Sequence, residues 1–317
     1  MKNIKIIPLL LFLASLIATY VLIDSLKNEK IKDTISLSFK HKSLNLSTVL
    51  ETLIEEKQKS TLNISLSMAQ NQNIIKALKT KDSSILNLDI LSKRFREYSE
   101  YKNLWFHIID KDGYSFSRSW SNKYGDYMLD AREDLKELFK NPKQSTHISV
   151  GKFDLTFKSI IPVYDEESNF IGFFETISHF NSISSEFSKQ GIDVMFLADK
   201  KYKTQLIYPF TKTFIENFYV SNLNANSKII NYLSANNITN YIDRFLTRDF
   251  FVDKKLNKLV VYKQLFDVSN ESMAHLLLFY PLDNFSVEQI KEIGDIYHVY
   301  VYCFFYSDNY FSSDVSK

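Results

Sequence analysis

The chain has 317 residues, 45% of them hydrophobic and 24% charged, with a formal net charge of +2 at pH 7. That is room for two modest domains of ordinary globular composition, and the near-neutral balance argues against a nucleic-acid partner, which calls for a basic stripe. One cysteine, Cys303, excludes an internal disulfide, and six glycines without GxxxxGK or GxGxxG argue against phosphate-cradling loops.

Lys2 and Lys5 precede an apolar run from Ile6 to Ile23. At 1.5 Å per residue this run spans roughly 27 Å, close to the hydrocarbon thickness of a bilayer. Pro8 sits near its start, where a helix tolerates it. Residues 1–23 therefore read as a transmembrane signal anchor. The alternative is a cleaved signal peptide, for which the only small-residue candidates, Ala14, Ser15 and Ala18, lie inside the run. Lys27, Lys30 and Lys32 follow the span, so charge alone orients it weakly. The expected location is the inner membrane, single pass, with the bulk of the chain periplasmic or otherwise extracytoplasmic.

No Gly or Pro occurs between Leu9 and Asp112, which predicts a long helical segment over 24–103. Apolar residues at helical spacing (Leu46, Val49, Leu50, Leu53 and Ile54, then Ile64, Met68, Ile75 and Leu78) predict one helix over about 24–75 and a second over about 84–100. This stripe either docks on the domains that follow or forms the seam of a parallel homodimer. Its heptad is irregular, which favours docking.

Strands follow. Leu104–Ile109 is a compact apolar run, Asp110-Lys-Asp-Gly113 a turn, and Tyr114–Trp120 a strand by its two-residue alternation. Ala131–Lys140 reads as a helix ended by Asn141-Pro142. Phe153–Tyr164 and Phe170–Ile177 form a hairpin around the polar turn 165–169. A similar order recurs. Ile192–Ala198 ends in Asp199-Lys-Lys, and Leu259–Val268 with Ala274–Tyr280 forms a second hairpin around 269–272. The order suggests a degenerate duplication of one α+β unit.

The alternation of 114–120 puts Tyr114, Phe116, Arg118 and Trp120 on one face and Ser115, Ser117 and Ser119 on the other. A guanidinium among aromatics on an inward face needs an anion, from either a protein carboxylate or a ligand. Arg118 thus either clamps a ligand carboxylate with two hydrogen bonds or pairs with Asp126 or Glu175. Phe116, Trp120 and Tyr124 either pack a ligand body and face its cation or serve as core. Asp126 either receives an ammonium group or caps a turn. Arg132 opens a helix and reads as a surface partner of Asp130 or Asp134. Lys158 and Glu175 lie on the first hairpin, where parity alone leaves their direction open. The ligand-site candidates are therefore Phe116, Arg118, Trp120, Tyr124, Asp126, Lys158 and Glu175. The six histidines lack metal-ligand spacing, no GxSxG elbow occurs, and Cys303 lacks a thiol-protease signature. No catalytic residue, metal or cofactor is assigned, and enzyme activity is not expected.

An anchor, a long helix and two tandem sheet units resemble the double-Cache sensor modules of bacterial receptors. The likeness is greatest to the third double-Cache group in Ser115-Phe-x-Arg118, Tyr124-Gly-Asp126 and Arg132, in Val150–Lys158 with Ile161–Asp165, and in Ile171–Glu175. The resemblance implies an α+β fold: a long N-terminal helix carrying two PAS-like antiparallel modules, membrane-distal over 104–185 and membrane-proximal over 186–290. It also implies a sensor for signal transduction or chemotaxis that binds a small organic ligand, a carboxylate or amino acid, in the distal module. Arg118-x-Trp120 is similar to the amino-acid-binding motif of double-Cache domains, in which the Arg holds the ligand carboxylate. Ser121 departs from that motif, which has an aromatic there. The remaining residues, 291–317, read as a tail without an output domain, since Ile296–Tyr306 is too short for a helical span. That reading implies either a sensor served by a separate signalling protein or a shortened receptor. The rival is a non-sensing scaffold that docks another envelope protein.

Overall fold

The computed structural model describes residues 6–285 apart from Glu100 and Lys102. Lys2 and Lys5, and the tail over 291–317 with Ile296–Tyr306, lie outside the described residues. The chain divides into two units: residues 1–45 with 282–317, and residues 46–281. In the first, Phe39 meets Phe285 edge to face with ring centroids 4.8 Å apart.

The larger unit is built from helix and two antiparallel sheets, the α+β arrangement anticipated above. Helix α1 runs Ile6–Ala69, α2 Gln72–Thr80 and α3 Leu88–Tyr98. The first helix ends about six residues earlier than its apolar stripe suggests. The cause is the polar run from Gln70 to Asn73, in which the Asn71 side chain accepts from the Asn73 amide and starts α2 as a new helix. On α1 the buried positions Leu46, Leu50, Ile54, Lys57, Thr61, Ser65 and Ala69 fall three or four apart. The upper part of this stripe is small and polar. Thr61 Oγ1 lies 2.8 Å from Ser178 Oγ, and Ser65 Oγ donates to the Ser159 carbonyl at 3.2 Å.

The first sheet comprises β1 (Leu104–Asp110), β2 (Ser115–Arg118), β3 (Ser145–Val150), β4 (Leu155–Tyr164) and β5 (Phe170–His179), in the order β2-β1-β5-β4-β3. Helix α4 (Glu133–Lys140) joins β2 to β3. One face packs Leu104, Phe106, Ile108, Ile161, Val163 and Phe174 under α2 and α3. The other packs Ile109, Ile160 and Phe173 against Leu135 and Leu138 of α4.

After α5 (Asn181–Lys189), the second sheet holds β6 (Asp193–Ala198), β7 (Phe214–Ile215), β8 (Phe218–Val220), β9 (Phe250–Asp253), β10 (Lys258–Phe266) and β11 (Ser272–Pro281), ordered β7-β8-β6-β11-β10-β9. Helices α6 (Ser227–Ala235) and α7 (Ile238–Asp243) cover its core. Apart from β7, the strand order repeats that of the first sheet. The hairpin tips repeat too. Asp165 Oδ1 accepts from the amides of Glu167 and Asn169, and Asp267 Oδ1 from those of Ser269 and Glu271. Ser168 and Asn270, each three residues after that aspartate, take positive φ.

Gly172 has φ +150°, and a Cβ there would sit 2.3 Å from the Ile109 carbonyl oxygen of the neighbouring strand. Gly172→Ala is expected to destabilise the fold by at least about 1–3 kcal/mol, because backbone must move to admit the methyl. Chemical denaturation measures the loss.

The alternation expected for 114–120 breaks at Phe116. Ile108 pairs with Ser117 and Ile109 with Ser115, so Phe116 is the extra residue of a β-bulge. The bulge reverses parity. Ser115 is buried beside Ile109, Tyr114 is exposed, and Phe116 packs with the helix-side core, away from the face that carries Arg118. The regular strand ends at Arg118, so Trp120 projects from the segment beyond it.

Candidate functional site

The face of the first sheet that α4 only partly covers carries a buried cluster of charges. Cross-strand pairing puts Arg118 opposite His107 and His107 opposite Glu175, so the three share that face. Glu175 is fully buried. Arg132, on the approach to α4, donates to Glu175 Oε1 at 2.7 Å and grips Asp134 through Nε at 2.8 Å and a terminal nitrogen at 2.7 Å. His107 Nδ1 lies 3.0 Å from Glu175 Oε2, and its Nε2 lies 2.9 Å from Ser115 Oγ. Burial pushes the Glu175 carboxyl up, but the Arg132 charge and the His107 hydrogen bond outweigh it and hold the group well below the usual range. Burial pushes His107 below its ordinary value, even with Glu175 beside it. A neutral imidazole fits this setting: Nδ1–H donates to Glu175 and Nε2 accepts the Ser115 hydroxyl proton.

Lys158 differs from its charged neighbours. Its residue exposure is 7%, yet among the described residues its ammonium makes no hydrogen bond and no ion pair. Burial, helped by the Arg132 charge and partly offset by Glu175 and Asp134, pushes it down to about 8. A Cβ on Gly151 would lie 3.8 Å from Lys158 Nζ, which places the ammonium under the 151–154 segment. Ser149 Oγ and His179 Nε2 are fully buried without a hydrogen-bond partner. Ser149 is opposite Thr156, Thr156 opposite His179, and Lys158 follows two residues along β4. The three unpartnered groups therefore occupy adjoining rows of one sheet face.

Aromatic rings border this spot. The Trp105 and Trp120 indoles stack with centroids 5.0 Å apart and 23° between planes. Trp105 also meets His179 at 4.5 Å, Phe153 at 5.7 Å and Phe210 at 5.9 Å, and Phe153 stacks on Tyr208 at 5.8 Å. Phe210 and Tyr208 come from the long connection after β6. A buried ammonium beside indole faces and an unpaired imidazole nitrogen suits an anion that carries an apolar body and a further polar group.

The structure brings Arg118, Trp120, Lys158 and Glu175 onto one face, with Asp126 at its rim. It places Phe116 on the opposite face and leaves Tyr124 66% exposed. Arg118 already has its partners. Its terminal nitrogens donate to Asp126 Oδ2 at 2.7 Å and to the Lys123 carbonyl at 3.1 Å. Of the two readings of Arg118, the ion pair with Asp126 is the one present. Asp126 is accordingly held below its ordinary value by the Arg118 hydrogen bond. Arg132 is no surface residue: its side chain is 16% exposed and bridges Asp134 to Glu175. Sequence reasoning overlooked Trp105, His107, Asp134, His179, Phe153, Phe210 and Tyr208 as neighbours of the site. For Trp105 and His107 a signal existed, since they occupy alternate positions in a strand read only as an apolar run.

Residues 36–284 match the double sensory domain of two-component sensor kinases, the third double-Cache group. The chain belongs to that family. No curated protein sequence matches it. Among solved structures, the sensory domain of the Campylobacter jejuni chemoreceptor Tlp3 with isoleucine bound is 13% identical, with a TM-score of 0.46, over 80% of this chain and 96% of that one. The Vibrio cholerae LuxQ periplasmic domain is 14% identical, with a TM-score of 0.44, over 76% of this chain and 99% of that one. An extracellular ligand binding receptor from Desulfohalobium retbaense is 13% identical, with a TM-score of 0.39. That match covers 74% of this chain, and the chain spans 39% of the receptor's length. Family membership makes this a sensory domain.

Proposed function

We propose that the chain is a membrane-anchored extracytoplasmic sensor that binds a small organic carboxylate or amino-acid-like ligand in the membrane-distal module, residues 104–185. Residues 186–290 form the membrane-proximal module in this reading. The observation that carries it is Lys158: a buried ammonium short of an acceptor is costly until an anion completes it. In this reading Lys158 receives the carboxylate, Trp105 and Trp120 line the ligand body, and the Arg118–Asp126 pair forms the rim. The Arg132–Glu175–His107 cluster holds the floor rigid rather than touching the ligand. The anchor is supported by α1, whose N-terminal part contains an apolar window of mean hydropathy 1.7 with none of it buried. A separate signalling protein or a longer receptor would read the sensor's state in signal transduction or chemotaxis.

The full chain in detergent is expected to gain thermal stability with at least one member of a carboxylate and amino-acid panel, and Lys158→Met is expected to abolish that gain. A gain that persists in Lys158→Met would remove this lysine from the site. Arg118→Ala, by contrast, is expected to keep a weakened response, since its guanidinium already has a carboxylate.

A further inference from the structure

The 151–154 segment touches the proposed site on one side and the second sheet's module on the other. Toward the site, Gly151 lies over Lys158 Nζ, and Asp154 Oδ2 lies 2.7 Å from His179 Nδ1. Toward the second module, Asp154 Oδ1 accepts from Ser221 Oγ at 2.6 Å, at the end of β8. The segment's backbone is held from that side as well: Tyr208 N donates to the Lys152 carbonyl at 2.9 Å and Phe210 N to the Phe153 carbonyl at 2.8 Å. Asp154, His179 and Ser221 are each 1% exposed or less, so the chain of bonds between the modules runs out of contact with water.

The bonding pattern assigns the protons. Asp154 Oδ1 receives both the Ser221 hydroxyl and the Leu155 amide, so the carboxylate acts as acceptor and His179 Nδ1 carries the hydrogen. In the neutral ring Nε2 is then a lone pair, buried among Trp105 and Phe210 and without a donor.

We infer that the 151–154 segment is the coupling element between the modules: a ligand that satisfies Lys158 and His179 Nε2 changes how Asp154 shares its charge between His179 and Ser221. This rests on the ligand site proposed above. A donor on Nε2 makes the ring a stronger donor at Nδ1, which draws the Asp154 charge toward His179 and loosens its hold on Ser221. Such a ligand carries a hydroxyl or amino group close to its carboxylate, because Lys158 and His179 are diagonal neighbours across β4 and β5. The coupling requires the ligand to prefer one sharing state over the other, and its donor bond to His179 Nε2, stronger when Asp154 leans toward His179, is that preference.

Hydrogen exchange followed by mass spectrometry tests this on the full chain in detergent, with L-lactate, L-alanine and succinate as probes. Binding is read as Lys158-dependent protection of peptides covering 105–107 and 175–179. When L-lactate or L-alanine binds, amides over 218–223 are expected to exchange roughly threefold to tenfold faster, the equivalent of one hydrogen bond. In Ser221→Ala that response is expected to vanish while the protection at 175–179 remains, and Asp154→Asn, which keeps shape and loses charge, is expected to do the same. Protection at 175–179 by L-lactate or L-alanine without any change over 218–223 overturns the coupling and leaves the sensor reading standing, whereas succinate, which has no donor for Nε2, is expected to protect without that change. No Lys158-dependent protection with any of the three probes overturns both.

Discussion

Replacing Arg132 with methionine is expected to destabilise the protein by about 3–5 kcal/mol, the cost of stripping one partner from a buried ion pair. The guanidinium is the link between Asp134 and the fully buried Glu175, and nothing else in the cluster offers Glu175 two hydrogen bonds. His107 cannot substitute, because its Nδ1 already serves Glu175 and its Nε2 is engaged with Ser115. Glu175→Gln is expected to cost a similar amount alone, since it leaves Arg132 with Asp134 only. The double variant Arg132→Met with Glu175→Gln is expected to lose much less than the sum, and chemical denaturation of the four proteins measures that coupling. The pH dependence has a definite sign. Glu175 is depressed in the folded state, so its stabilisation is complete above the ordinary carboxylate value and is lost as pH falls toward the folded one. In Arg132→Met the Glu175 carboxyl is less depressed, so that acid-side loss should be smaller and be complete at a higher pH.

Lys158→Met is expected to do the opposite to the empty protein and stabilise it. The shift of Lys158 from 10.5 to about 8 corresponds to about 3 kcal/mol of disfavoured charge, an upper bound because the methionine must also fill the space well. The same substitution is expected to abolish the response to carboxylates, so stability and sensing separate at one residue. The groups facing Lys158 are Glu175 on β5, Asp134 and Arg132 near α4, His147 on β3 and His107 on β1. Among them the net field leaves the ammonium weakly held. An anion binds the protonated form, so its affinity is expected to be flat below pH about 8 and to fall about tenfold per unit above it. In the empty protein the unfolded lysine keeps its proton up to 10.5, so stability is expected to rise between about 8 and 10.5. Isothermal titration across that range checks the first expectation and denaturation the second.

Much of the fold was legible because its punctuation is chemical. Asp110-Lys-Asp-Gly113 makes the turn it spells, with Asp110 Oδ1 accepting from the Asp112 and Tyr114 amides. Both hairpins appear where polar runs interrupt apolar ones, and the second sheet repeats the order of the first. The site was legible only in part. A two-residue period carries no sign of an inserted residue, so the bulge at Phe116 stayed hidden and Phe116 was assigned to the wrong face. The choice between ligand and ion pair at Arg118 depended on where the Tyr124–Asp126 loop folds back, a matter of tertiary geometry. Lys158 and Glu175 share a face because of strand register, which pairs Lys158 with Ile177 and Ile160 with Glu175. Tyr208 and Phe210 lie in a connection without periodicity, and backbone bonds to Lys152 and Phe153 help bring Phe210 against Trp105 and Tyr208 against Phe153.

The most deeply buried row of upper α1, Thr61, Ser65 and Ala69, meets the first sheet with small side chains, while Leu62, Ile64, Leu66 and Met68 beside it pack against the apolar core shared with α2 and α3. Short side chains leave few knobs to climb over, and hydroxyl contacts re-form after a small step more readily than packed methyls do. Within this row a small axial displacement therefore disturbs less packing than lifting the helix from the sheet.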